Sequence, residues 1–113
     1  MGPKYEPAER RDARLTGHVV VDARQDKVGK VTDVIFDDRG APQWAVVRTG
    51  VLSGEHFMPL DASYLDQNDR LVVSLDTDTI KRAPRARRDH VLTLATRRGL
   101  RDYYGVAARS YPH

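Results

Sequence analysis

The chain of 113 residues contains no cysteine. That one absence removes disulfides, thiolate metal ligands, cysteine nucleophiles and iron–sulfur clusters, and it makes a reducing cytoplasm the natural compartment. Aromatic side chains are scarce, 7% of the residues, with a single tryptophan at Trp44. Long apolar runs are missing as well. Nothing approaches the roughly 18 residues of a membrane-spanning helix, so no membrane insertion is expected. The opening stretch from Met1 to Arg14 carries charges where a signal peptide needs its apolar segment, so export is not expected either. The glycines at 29, 40, 50, 54 and 99 are dispersed, as turn and bend residues are, and form no phosphate-cradling loop. What is present, 40% hydrophobic and 31% charged residues, suits one small globular domain.

The net charge of +3 is unevenly placed. Residues 15–80 hold six basic and eleven acidic side chains, whereas residues 81–113 hold nine basic and two acidic ones. An acidic body therefore carries a basic C-terminal third, and that third needs a counterpart in its own chain, in a second copy or in another molecule.

Residues 1–13 lack apolar periodicity and read as a flexible lead-in. β-branched and alternating runs then predict strands over Thr16–Val21, Val28–Phe36, Gln43–Thr49, Glu55–Leu60 and Leu71–Leu75, with Thr79–Ile80 as a short sixth. Polar or glycine-bearing turns separate them at Asp22–Lys27, Asp37–Gly40, Gly50–Gly54 and Asp66–Asp69. In the second strand Val28, Val34 and Phe36 share one parity, and Val31 and Ile35 the other. Such a strand is covered on both faces for part of its length, as in a small coiled barrel. Gly29 marks a bulge or sharp bend. With no helical period between Leu15 and Ile80, the expected fold is mainly β, a small curled antiparallel barrel over residues 14–80.

A body of that size is marginal alone, so something should cover it. Residues 81–105 are expected to do so, packing on the barrel or on a second subunit. Lys81–Arg88 reads as a linker interrupted by Pro84. Thr93–Tyr104 reads as a helix capped by Thr93, with Thr96, Leu100, Tyr103 and Tyr104 on one face and Gly105 at its end. A strand across Val91–Thr96 is the alternative. Residues 106–113 read as a tail.

Several of these residues fall in a familiar order: Gly17, Val28-Gly29-Lys30-Val31, Asp33-Val34, Phe36-Asp37, Gly40 and Trp44-Ala45-Val46-Val47. Gly54, Pro59-Leu60, Tyr64, Ala83-Pro84 and Tyr103-Tyr104-Gly105 continue it. In this order and spacing, from about Leu15 to Gly105, the chain resembles the PRC-barrel domain. That domain is named for the H subunit of photosynthetic reaction centres and also occurs in a ribosome maturation factor; small stand-alone bacterial members end in a similar aromatic-glycine pattern. The resemblance implies a curled β-barrel that serves as an interaction or assembly module, usually without catalytic activity.

The residues themselves offer little for catalysis. Ser53, Ser63, Ser74 and Ser110 lie in no strained elbow, and the pairs Asp37/Asp38 and Asp76/Asp78 fall where turns need aspartate. His56 with Glu55 and Asp61 is the best metal candidate, yet one histidine with scattered carboxylates defines no ligand geometry. His56 reads as a partly buried strand residue, and Asp33 as a partner of backbone or a basic neighbour. No catalytic residue, metal or cofactor is assigned. Trp44 belongs to the core or to an interface, and with neighbouring residues of the third strand it is expected to anchor the protein partner. Arg82, Arg85, Arg87, Arg88, Arg97, Arg98 and Arg101 form the sharpest candidate surface, since arginine suits carboxylate and phosphate forks. They could meet a protein partner, the acidic barrel of the same or a second chain, or a nucleic acid, or stay solvated. The expected function is a non-enzymatic, cytoplasmic interaction module that binds a protein partner and self-associates as a dimer. The alternatives are an RNA- or ribosome-associated factor and a ligand- or proton-handling module.

Overall fold

Asp22, Asp37 and Asp66 build three chain reversals from one piece of chemistry. Each carboxylate accepts hydrogen bonds from the backbone N–H groups two and four residues further on, at 2.8–2.9 Å. Each aspartate N–H also donates to the carbonyl four residues on, and each aspartate carbonyl accepts from the N–H three on. The geometry forces the residue three places on into the left-handed region: Gln25 at φ 72°, Gly40 at 79° and Asp69 at 59°. Short polar side chains that satisfy local backbone groups are what make such corners form in sequence-defined places.

The computed structural model describes residues 15–50 and 54–110, and for 106–110 the backbone alone. Among them the strands are β1 (Val19–Val21), β2 (Lys27–Phe36), β3 (Pro42–Gly50), β4 (Gly54–Pro59), β5 (Tyr64–Leu65) and β6 (Leu71–Val72). The helices are α1 (Thr77–Lys81) and α2 (Leu94–Ser110). The strands hydrogen-bond in the order β4-β3-β2-β1-β6-β5. All neighbours are antiparallel except β1 and β6, which run parallel. The sheet curls without closing, and β4 and β5 are its edges. The fold is thus the mainly-β, curled one expected, followed by a C-terminal helix.

Bulges produce the curl. Val31 pairs with Val47 but Asp33 with Val46, so Thr32 is an extra residue in β2. Val20 pairs with Gly29 but Val21 with Lys27, so Val28 is another. Each insertion reverses side-chain parity, which is how Val28, Val31 and Val34 all become buried. At Gly29 a Cβ would overlap the Arg48 carbonyl, so only glycine allows the two strands to come this close. β3 lies at the centre, with Trp44, Ala45, Val46 and Val47 all buried.

Four expectations need correction. Thr79–Ile80 is helical: Asp76 caps α1 by accepting from the Thr79 N–H at 2.8 Å, and Ile80 enters the core. Leu71–Leu75 pairs only over Leu71–Val72, with Val73 adding one bond to the Val21 carbonyl. β5, at Tyr64–Leu65, was not anticipated; two residues are too few for a pattern. The helix starts after Thr93, whose hydroxyl accepts from the Thr96 N–H, but it runs through Gly105 to Ser110 instead of ending there. Gly105 stays helical, and a glycine stops a helix only when it turns left-handed. A strand over Val91–Thr96 is thereby excluded. The lead-in 1–13, residues 51–53 of the expected Gly50–Gly54 turn and residues 111–113 of the expected tail lie outside the described residues.

Candidate functional site

The segment 82–93, between α1 and α2, crosses the free edge of β4 as a strap. Ala83 is buried and Ala86 packs against the core. The Ala86 N–H donates to the Glu55 carbonyl at 2.7 Å, and Arg85 bridges to His56 in antiparallel fashion. The buried His56 ring donates through Nδ1 to the Ala83 carbonyl at 2.8 Å. Lys81–Arg88 is therefore not a simple linker. It covers an edge, as edge strands require, and its alanines are too small to show as an apolar period.

His90 pins the far end of the strap. Its Nδ1 lies 2.9 Å from Asp33 Oδ2 on β2, and its Nε2 lies 2.8 Å from Glu55 Oε1 on β4. Two ionised carboxylates can only accept, so both ring nitrogens must donate and the imidazole is cationic. The backbone there is left-handed, φ 58°, a conformation histidine holds only under outside constraint. Thr32, the bulge residue of β2, donates to the other Glu55 oxygen and also contacts the Val46 carbonyl, while Arg48 approaches Glu55 at 3.8 Å. Burial pulls the His90 imidazole down, but the bonds to Glu55 and Asp33 outweigh it and hold the group above its ordinary range. Burial pushes the Glu55 carboxyl up, but the bonds from Thr32 and His90 and the nearby cations hold it below the usual carboxylate range.

α2 is fixed by two phenols. The Tyr103 hydroxyl donates to the Thr79 carbonyl of α1 at 2.6 Å, and the buried Tyr104 hydroxyl to the Phe57 carbonyl of β4 at 2.5 Å. Burial pushes both hydroxyls' pKa values upward, so they stay protonated as donors. The Tyr104 ring also covers Trp44, centroids 6.2 Å apart, so that tryptophan belongs to the core. A cavity of about 300 Å³ opens between β3 and α2, lined by Trp44, Asp61, Ser74, Leu75, Arg101 and Tyr104. It holds no histidine to activate the serine. His56, Glu55 and Asp61 do not assemble, and the described residues contain no metal-ligating cluster.

A model of the PRC-barrel domain matches residues 7–80. The chain belongs to the PRC-barrel family. No curated protein matches the chain. Family membership and the curled sheet agree, and they leave the strap and α2 of this PRC-barrel protein beyond the matched region. That region carries all seven arginines singled out above. Arg82, Arg85, Arg87, Arg88, Arg98 and Arg101 are exposed, and Arg97 is half-buried. Arg87 pairs with Asp89 at 3.2 Å. Among the described residues Arg82, Arg88, Arg98 and Arg101 make no ion pair. On the same segment Val91 is 50% and Leu94 64% exposed, and Leu94, Arg98 and Arg101 fall on one stripe of α2. The sequence missed His90, because its partners stand 57 and 35 residues away and no local pattern marks it. No described helix is long and apolar enough to cross a membrane.

Proposed function

We propose that this PRC-barrel protein is a non-catalytic docking module whose curled sheet is a rigid base and whose strap and α2 present a basic surface to an acidic protein partner. The observation that carries this reading is the division of labour along residues 82–101. Small, histidine and tyrosine side chains hold the segment down, while Arg82, Arg88, Arg98 and Arg101 are exposed and make no ion pair among the described residues. Arg88 and Arg98, close along the chain to the exposed Val91 and Leu94, give the segment the mixture of apolar and cationic side chains that interfaces use, with the charges steering encounter. Trp44, under Tyr104, supports that surface from below. Self-association fits the same charges, since the body of one copy is acidic and the segment of another basic.

The test is photo-crosslinking in living cells from a reactive residue placed at Leu94, with and without nuclease treatment. The expected result is one or a few discrete acidic proteins, or a second copy of the chain, resistant to nuclease and lost in an Arg88→Glu/Arg98→Glu variant. Adducts that disappear with nuclease would replace the reading by an RNA- or ribosome-associated one.

A further inference from the structure

Lys27 and Lys30 stand three residues apart on β2, yet both are exposed on either side of buried Val28 and Gly29. The extra residue at Val28 is the cause, turning both lysines outward on the same side of the sheet. Across the ladder Lys30 faces Arg48 directly. Like charges in that position are destabilising. The neighbouring carboxylate, Glu55, reaches Arg48 only at 3.8 Å and is already bonded to Thr32 and His90. A groove of about 420 Å³ runs between these side chains, bordered by Lys27, Lys30, Arg48 and Thr49 with Gly29 in its wall. The Thr49 hydroxyl is closed off from water and has no hydrogen-bond partner among the described residues.

We infer that this groove binds a phosphate group, as inorganic phosphate or as a small phosphomonoester. Three cations offset the anion's charge and would be relieved of their mutual repulsion by it. None of these residues belongs to the strap or to α2, so the groove is a second site, separate from the docking surface.

Amide chemical shifts of the full chain, titrated with sodium phosphate, with glycerol 3-phosphate and with sodium chloride at matched ionic strength, test this. The expected result is saturable shifts at residues 27–32 and 48–50 with the two phosphates and none with chloride. Lys30→Gln and Lys27→Gln should each weaken binding roughly 3- to 10-fold, while Arg98→Gln leaves it unchanged. Tighter binding of glycerol 3-phosphate assigns the groove to phosphomonoesters, and equal binding assigns it to the free ion. Shifts shared with chloride, shifts confined to residues 82–101, or lysine variants that bind as well as wild type would overturn the proposal. Both lysines are exposed and make no ion pair among the described residues, so unchanged melting of the variants separates lost binding from lost fold.

Discussion

At Gly29 the backbone of β2 passes so close to the Arg48 carbonyl that a single methyl group would overlap it, and the obstacle is backbone, which cannot swing aside. Gly29→Ala is therefore expected to cost about 2–3 kcal/mol through forced separation of β2 and β3, read as a lower denaturant midpoint at unchanged slope. A lone glycine in a β-branched run already signals a bend, so this position was legible in the sequence. Asp69 shows the opposite case. It occupies, at φ 59°, the position that glycine holds in the Asp37 turn. Asp69→Gly should raise stability by about 0.5–1 kcal/mol, the relief of left-handed strain less the freedom glycine gains when unfolded. A fall in midpoint would mean that the Asp69 side chain does more than tolerate its backbone. The shared carboxylate chemistry of the three turns was only partly legible: aspartate marks each one, but glycine marks only one.

The strap is the element that the sequence hid most completely. Its arginines and Pro84 look like a linker, whereas alanine burial, one strand-edge hydrogen bond and the His90 clamp make it structural. The bulge beside Gly29 was signalled by that glycine, but the one at Thr32 was hidden for a related reason: it appears in the sequence only as apolar residues of both parities, which a strand covered on both faces also shows. The clamp has a defined pH dependence. His90 is raised above its ordinary value of 6.5, so its contribution is complete below that pH and is lost as pH rises through the raised value. Glu55 is lowered below its ordinary 4.5, so its contribution is complete above that pH and is lost as pH falls through the lowered value. The clamp is therefore strongest between about pH 4.5 and 6.5. The groups facing it are Asp33 on β2, Arg48 on β3 and Glu55 on β4, while Arg87 and Asp89 of the strap pair with each other. A His90→Gln variant should melt lower than wild type by several degrees in that window, corresponding to about 1 kcal/mol for a partly solvated cluster. The difference should shrink as the solution becomes alkaline. An equal difference at pH 5.5 and pH 9 would show that the ring acts by packing alone.

Across the whole molecule, a core centred on β3 carries the fold, and the charges divide between an acidic sheet and a basic covering segment. The charge division was legible from counting, and the family from the order of its glycines and aromatics. Which arginines stay unpaired was not, because pairing depends on which carboxylates the fold brings within reach, and two of them, Asp33 and Glu55, engage His90. The docking proposal requires that these arginines serve contact with another molecule and contribute nothing to the fold. Its most direct test is the thermal melting of an Arg82→Gln/Arg88→Gln/Arg98→Gln/Arg101→Gln variant, measured beside its crosslinking yield from position 94. The expected result is a melting temperature within about 2 °C of wild type, well under the shift that 1 kcal/mol produces in a domain of this size, together with loss of the crosslinked partner. A variant that melts many degrees lower, or that keeps its partner, would contradict it.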